Sequence, residues 1–435
     1  MWAAPISNTD GALGTDRATA VLPSALMLDT DEFAALLKER RTSAKLSQRR
    51  LARLAGISEP TIRNLEHARH APCEETLKRL LLLPELGLSA DLLPTRRKAI
   101  IEKELEYFNK LNCFVAPEYG LFDLWLDFRR QINTEGGHIE QTYLYLDPEA
   151  AYNYIEACNH SPFMAAHRVN MPLESMASRM IDSLDGNNLD IVALGPGDGQ
   201  QESRLVRHVL DLCPQLKIRM HLIDISHPML NVAYKHATDS LGQSENIFIV
   251  QIQANFHNLL AYQQFFYTPA FDKRRRVFVM LGATFANIDN EVRFVRHSLG
   301  KATKGDMLLL DLDQVRGSTE AEIRRNDPRL SRAPADLEKW LGGLIRRHCN
   351  GARNLTLRPE LRLDCVIPDS YAIDIVATVE VDQNEIRDIS MARTKRYNLE
   401  RLCQRLESEG WECVQNSPYG ANTPAMSALM LFAKR

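Results

Sequence analysis

The stretch Leu189-Asp-Ile-Val-Ala-Leu-Gly-Pro-Gly-Asp-Gly-Gln-Gln-Glu-Ser-Arg204 constrains this chain more than any other. Ile191 to Leu194 is an apolar run of strand length. Gly195, Gly197 and Gly199 follow at alternate positions, and Gln201 to Leu212 reads as a helix with Leu205, Val206, Val209 and Leu210 on one face. In such a strand, glycine turn and helix, the backbone turns tightly enough for a ligand to lie against it, and the helix N-terminus offers oriented N–H groups. The next strand, Ile218 to Ile223, ends at Asp224, where an acidic side chain accepts both hydroxyls of a ribose. A dinucleotide fingerprint is spaced G-x-G-x-x-G, whereas this turn is spaced G-x-G-x-G. The spacing favours S-adenosylmethionine as cofactor; a dinucleotide and an unliganded glycine turn are the other readings.

At 435 residues the chain exceeds one ordinary domain and suggests two or three. With 45% hydrophobic and 25% charged residues and a formal net charge of -3, the composition is that of a soluble globular protein without a global bias towards nucleic acid. The eight cysteines (Cys73, Cys113, Cys158, Cys213, Cys349, Cys365, Cys403 and Cys413) stand singly, without the paired spacings of a zinc site or a small secreted disulfide framework. No metal is expected, and reduced thiols in a cytoplasm are the simplest reading. No apolar run reaches the roughly 18 residues of a membrane span. The first 27 residues lack the basic start and apolar core of a signal peptide and read as a mobile tail.

Residues 28–95 form the first expected domain. Asp31 to Arg41 is amphipathic, a second helix begins at Ser47-Gln48, Gly56 breaks the pattern, and Ser58 caps a third helix from Glu59 to Glu66. Between Lys38 and Arg69 stand nine Lys or Arg and three Glu, a local balance of +6 in an acidic chain. That basic face suits phosphate; a helical bundle used for protein contacts is the alternative. Residues 46–66 resemble the helix-turn-helix of the lambda-repressor/Cro type. The resemblance implies a structural ion pair between Arg41 and Glu66 and duplex-DNA contacts from Gln48, Arg49, Arg50, Thr61, Arg63 and Asn64, with the arginines on phosphates.

Residues 96–139 read as a helical connector, with helices at 96–110 and 119–132, and as a possible dimer element, since repressor-type domains read two half-sites as symmetric dimers. The following segment is rich in aromatic and polar residues (Tyr143, Tyr145, Tyr152, Tyr154, His160, His167) that either line a pocket or pack together.

From 140 to 435 strands and helices alternate, predicting a doubly wound α/β sheet. Gly195, Asp224, Asn255, Asn287 and Asp313 all fall at predicted carboxyl ends of strands, where such sheets bind ligands. The runs Leu-Gly-Pro-Gly-Asp-Gly199, Ile-Asp-Ile-Ser226, Ala-Asn-Phe256, Phe-Val-Met-Leu-Gly-Ala-Thr-Phe-Ala-Asn-Ile288 and Gly-Asp-Met-Leu-Leu-Leu-Asp-Leu-Asp313 resemble, in this order, the ergothioneine-pathway L-histidine Nα-methyltransferase family. So do Thr-Lys-Arg-Tyr397 onwards and the final strand. The resemblance implies a Rossmann-like methyltransferase fold with a small substrate-binding subdomain. It further implies that Gly195, Gly197, Gly199, Gln201, Asp224, Asn255 and Phe256 bind S-adenosylmethionine. Asn287 would hold a substrate carboxylate and Thr394 would stand near the substrate's side chain, with Asp313 and Tyr371 expected in the same pocket.

Four departures follow, the first two at the cofactor's adenine and methionine ends and the last two at the substrate. Asn255 replaces an aspartate, Gln201 a lysine and, by ungapped count, Ala392 a glutamate that touches the histidine side chain. A tyrosine that meets the substrate amine has no match near His160 to Phe163. Cofactor binding is therefore expected, and histidine recognition is not. Two function classes follow. One is a cofactor-dependent methyltransferase acting on a small amino-acid-like substrate, fused to a DNA-binding domain. The other is a transcription regulator whose methyltransferase-like domain senses the cofactor or a metabolite.

Overall fold

The computed structural model describes residues 30–72, 74–81, 83–88, 113–115, 121–134, 139–160, 167–184, 188–242, 244–259, 274–331, 337–381, 385–420 and 427–435. The chain divides into two compact units, Met1–Phe108 and Asn109–Arg435. The expected tail and the expected helix at 96–110 lie outside the described residues.

The first unit contains α1 (Thr30–Ser43), α2 (Gln48–Ala55), α3 (Glu59–Glu66) and α4 (Glu74–Leu81). Ser47 caps α2 by accepting the Arg50 N–H at 3.1 Å, and Ser58 caps α3 by accepting the Thr61 N–H at 3.2 Å. Between them Gly56 ends α2 at φ 62°, a conformation that favours glycine. These caps set the turn, and Phe33, Leu37, Leu51, Ile62, Leu65, Leu77 and Leu80 close a common core. Burying each of the larger apolar side chains there contributes about 1.5–3 kcal/mol.

In chain order the strands of the second unit are β1 (Cys113–Val115), β2 (Asn188–Leu194), β3 (Lys217–Asp224), β4 (Ile247–Gln253), β5 (Arg275–Met280), β6 (Met307–Asp313), β7 (Arg353–Arg362), β8 (Tyr371–Val381), β9 (Glu385–Arg396), β10 (Trp411–Tyr419) and β11 (Ser427–Lys434). Its helices are α5 (Leu121–Ile132), α6 (Pro148–His160), α7 (Leu173–Asp182), α8 (Gln200–Leu212), α9 (His227–Leu241), α10 (Glu291–His297), α11 (Glu320–Asn326), α12 (Gly343–His348) and α13 (Leu399–Ser408). An eight-stranded sheet runs β1-β4-β3-β2-β5-β6-β11-β10. Its β1 to β6 members pair in parallel, and β11 and β10 close the edge antiparallel. The strand order reverses at β2, whose neighbours are β3 and β5, so a crevice opens at the carboxyl end of β2.

The pleat divides the core. Leu189, Ile191 and Ala193 of β2 face one buried cluster with Val206, Val209 and Ala233. Val192 and Leu194 face the other with Phe285, Phe294 and Trp411. A second, three-stranded antiparallel sheet, β7-β8-β9, is not among the strands read from the sequence, although Ile373, Ile375, Ala377 and Val379 alternate along β8. Ile375, Ala377, Val379, Ile389 and Met391 of that sheet pack with Leu124, Phe128 and Ile132 of α5 and with Trp340 and Leu344. The α5 segment of the expected connector is thus built into the second unit, with Leu124, Phe128 and Ile132 buried in this core and Leu126 exposed.

Candidate functional site

A cavity of about 520 Å³ lies over the carboxyl ends of β2, β3, β4 and β5. It is lined by Gly195, Gly197, Asp224, Asn255, Phe256 and Asn287, all expected from the sequence to bind ligand. The glycine turn is held at φ 63° (Gly195), 59° (Gly197) and 74° (Gly199), where side chains are strained. A Cβ on Gly195 would meet Thr284 Cγ2 at 2.9 Å, and one on Gly199 would meet the Ala233 main chain at 2.9 Å, whereas nothing stands within 4 Å of one on Gly197. The three glycines therefore differ: Gly199 serves α8–α9 packing and Gly197 leaves its backbone bare.

Asp224 closes β3, and its Oδ1 accepts the Ser226 N–H at 2.8 Å. Burial pushes the carboxyl up to about 6. Asn255 accepts the His257 N–H at 2.9 Å, which folds the chain so that the Phe256 ring stacks on His257 at 4.9 Å with Phe294 on its edge at 6.0 Å. A flat aromatic wall beside a ribose acid fits an adenosine. The donor set and the bare Gly197 cradle therefore match S-adenosylmethionine.

Opposite the glycine turn, Thr284 donates to the Gly195 carbonyl at 3.2 Å and starts the 3-10 turn Thr284–Asn287. Lys395, buried, donates to the Ile288 and Asp289 carbonyls and to Glu291 at 2.7 Å, and Tyr397 donates to Glu291 at 2.8 Å. This ties the loop after Asn287 to β9 from behind. Tyr145 and Tyr154 form an aromatic wall with Trp340, their rings 5.0 Å apart and 5.4 and 4.8 Å from the indole. From β9, Met391 and Arg393 reach the cavity, and Arg393 is held by Asp374 at 2.7 and 3.0 Å and by Asp289 at 3.3 Å.

Three expected substrate residues are not brought to the cavity. Arg393 lines it, so its neighbours Ala392 and Thr394 project from the opposite side of β9. Ala392 packs with the apolar cluster of Trp340 and Ile375, and Thr394 accepts from Arg396 at 3.3 Å. Met391 is the extra residue of a bulge, where the pairing steps from Ile375↔Ala392 to Val376↔Ser390. Asp313 bonds Arg396 at 2.9 Å and Ser427 at 2.6 Å; burial alone would raise its carboxyl, but Arg396 and Arg329 hold it down to about 2. Tyr371 donates to buried Asp327 at 2.9 Å. Both residues belong to an internal charge network. Gln201 lines a smaller adjoining cavity and accepts from Arg204 at 3.0 Å.

In the first unit Arg41 grips Glu66 at 2.5 and 3.0 Å, the ion pair the resemblance implies, and Gln48 donates to the same carboxylate at 2.6 Å. Arg49, Arg50 and Arg63 are exposed, Thr61 bonds Ser58, and Asn64 accepts from Arg69 at 3.3 Å. Among the described residues no His, Cys, Asp and Glu group is arranged to hold a metal, and no helix is long and apolar enough to cross a membrane.

The second unit is a doubly wound α/β protein built to hold an adenosine-containing cofactor, and the first is a helix-turn-helix. Residues 32–94 match the helix-turn-helix domain family, and residues 133–325 match the family of histidine-specific, S-adenosylmethionine-dependent methyltransferases. The ImmF control region 10 kDa protein of Bacillus phage phi105 is 33% identical over 63 residues, 14% of this chain and 70% of that protein. Similar solved structures include an S-adenosylmethionine-dependent methyltransferase from Clostridium acetobutylicum, with 12% identity, 65% of this chain, 98% of that chain and a TM-score of 0.37. Another is the magnesium protoporphyrin IX methyltransferase of Synechocystis, with 10% identity, 65% and 94% coverage and a TM-score of 0.35. The chain thus carries a helix-turn-helix in its N-terminal unit and, in the unit that follows, a domain similar to the histidine-specific methyltransferases, with S-adenosylmethionine as cofactor.

Proposed function

We propose that this protein methylates a small amino-acid-like molecule in the large cavity and binds duplex DNA through residues 28–95. The first half of the reading is supported by one observation: Asn287, Asp289 and Arg393 line the same cavity as the glycine turn and Asp224. Bound S-adenosylmethionine supplies an electrophilic methyl group on a sulfonium. Gly195 and Gly197 receive the cofactor against bare backbone, Asp224 takes the ribose, and Asn255 and Phe256 flank the adenine. The Asn287 amide takes a substrate carboxylate. Tyr145, Tyr154 and Met391 exclude water around the nucleophile, so the chain contributes alignment and dryness and no covalent step.

The exposed arginines of the first unit favour a second reading, a regulator in which cofactor or metabolite binding biases DNA affinity with little turnover. That control needs different ligand affinities in two arrangements of the protein. A symmetric cytoplasmic dimer suits either reading, because such domains read paired half-sites. The test is incubation of the full chain with methyl-labelled cofactor and a small-molecule extract. A labelled small molecule, formed about tenfold or more slowly by Asn287→Ala, is expected. Cofactor binding without any labelled small molecule would leave the regulator.

A further inference from the structure

A second cavity, of about 40 Å³, opens beside the large one and shares Tyr154, Gly195, Gly197, Gly282 and Thr284 with it. Its remaining wall is mixed: Ile155, Met171, Pro196 and Leu281 are apolar, and His167, Arg168, Asp198, Gln201 and Glu202 are polar. Arg168 pairs with Asp198 at 3.0 Å, and His167 pairs with Asp311 at 3.0 Å behind it. Glu202, in the first turn of α8, is 2% exposed, and among the described residues its carboxyl takes a hydrogen bond only from its own backbone N–H. A buried carboxyl without a cationic partner is costly to ionise.

We propose that Glu202 and Arg168 read the two charges at the amino-acid end of S-adenosylmethionine, Glu202 the ammonium and Arg168 the carboxylate. The assignment rests on adenosine occupying the large cavity. With the ribose on Asp224 and the base beside Phe256, the glycine turn shared by both cavities leaves the small one for the remainder of the cofactor. That remainder is a zwitterion; the wall offers the Arg168 guanidinium, shared with Asp198, and the Glu202 carboxyl, which among the described residues makes no ion pair. The charges around Glu202 agree with this. Burial pushes its carboxyl up to about 8, Asp198 and Asp311 push the same way, and Arg168 opposes them. The empty site thus carries a proton on Glu202 near neutrality, and an arriving ammonium displaces it. Gln201, held by Arg204, completes the wall.

The test is calorimetry on the full chain with S-adenosylhomocysteine, which carries the amino-acid end, and 5′-methylthioadenosine, which lacks it. Glu202→Gln and Arg168→Gln are each expected to weaken S-adenosylhomocysteine by about tenfold or more while leaving 5′-methylthioadenosine within about twofold. In buffers of different ionisation enthalpy at pH 7, wild-type binding of S-adenosylhomocysteine should release a proton that Glu202→Gln does not. Equal losses for both ligands would make Glu202 a helix-capping residue and overturn the assignment. So would variants that match the wild type. If the wild type binds neither ligand, the cofactor reading falls together with this one.

Discussion

At the residue scale, Asp224 and the glycines give separable outcomes. The Asp224 carboxyl is raised from 3.8 to about 6 by burial, so the folded, empty domain favours its protonated form only below about pH 6. Its contribution to stability therefore falls as pH rises through that window. Accepting ribose hydroxyls needs the ionised form, so affinity should rise over the same window. Titrating 5′-methylthioadenosine between pH 5 and 8 is expected to show binding lost below about pH 6, and Asp224→Asn should flatten the profile. A wild-type profile with no step there would remove Asp224 from the ribose site. Gly199→Ala drives a methyl group to 2.9 Å from the Ala233 main chain at φ 74°, and overpacking of this kind costs about 1–3 kcal/mol of stability in chemical unfolding. Gly197→Ala meets nothing within 4 Å, so beyond local strain its loss should appear in cofactor affinity.

At the scale of elements, β9 does two things at once. One face presents Arg393 to the cavity, and Lys395 further along holds the loop after Asn287. Lys395→Met leaves Glu291 buried beside Tyr397 without its cation, which is expected to destabilise the unit by about 3–5 kcal/mol in urea unfolding, with Glu291→Gln restoring part of the loss. The strand also bears on substrate choice. A guanidinium and a thioether, not a carboxylate, face the cavity from β9, so an imidazole would find no acidic partner on that strand. One unpaired polar group costs about 1–3 kcal/mol. Free histidine should therefore turn over about tenfold or more slowly than the preferred substrate, as read by methyl-label incorporation. Rapid trimethylation of histidine would show that another residue supplies the partner. Ala392, which stands against a family glutamate by ungapped count, lies on the face of β9 opposite Arg393, and a count along the chain does not tell which face a residue takes.

For the whole molecule, the basic face of the first unit predicts how the chain meets DNA. Affinity for duplex should fall steeply with salt, and Arg49→Ala should weaken most sequences alike and reduce the salt slope by about one. Asn64→Ala should instead change which sequence is preferred. Gel-shift titrations of the full chain at several salt concentrations decide this, and failure to bind any duplex at low salt would return the unit to a bundle for protein contacts. Gln48 is a poorer probe, because it supports the buried Arg41–Glu66 pair at 2.6 Å and its loss confounds stability with recognition.

The sequence by itself determined the helix-turn-helix and the doubly wound sheet, because both rest on local rules. Caps at Ser47 and Ser58, positive-φ glycines at 56, 195 and 197, and apolar runs of strand length act within a few residues of themselves. It also named one side of the cavity lining, since Gly195, Asp224 and Asn255 each lie at or just beyond a strand end. Only the tertiary structure decided the substrate half. Strand β7 alternates Leu355, Leu357 and Leu361 with polar residues but carries Pro359 and buries no residue fully, and Asp313 and Tyr371, which read as pocket residues, are consumed by Arg396 and Asp327 across the fold. Whether a polar side chain serves a ligand or another buried charge depends on what long-range packing sets opposite it, and spacing along a chain carries no record of that.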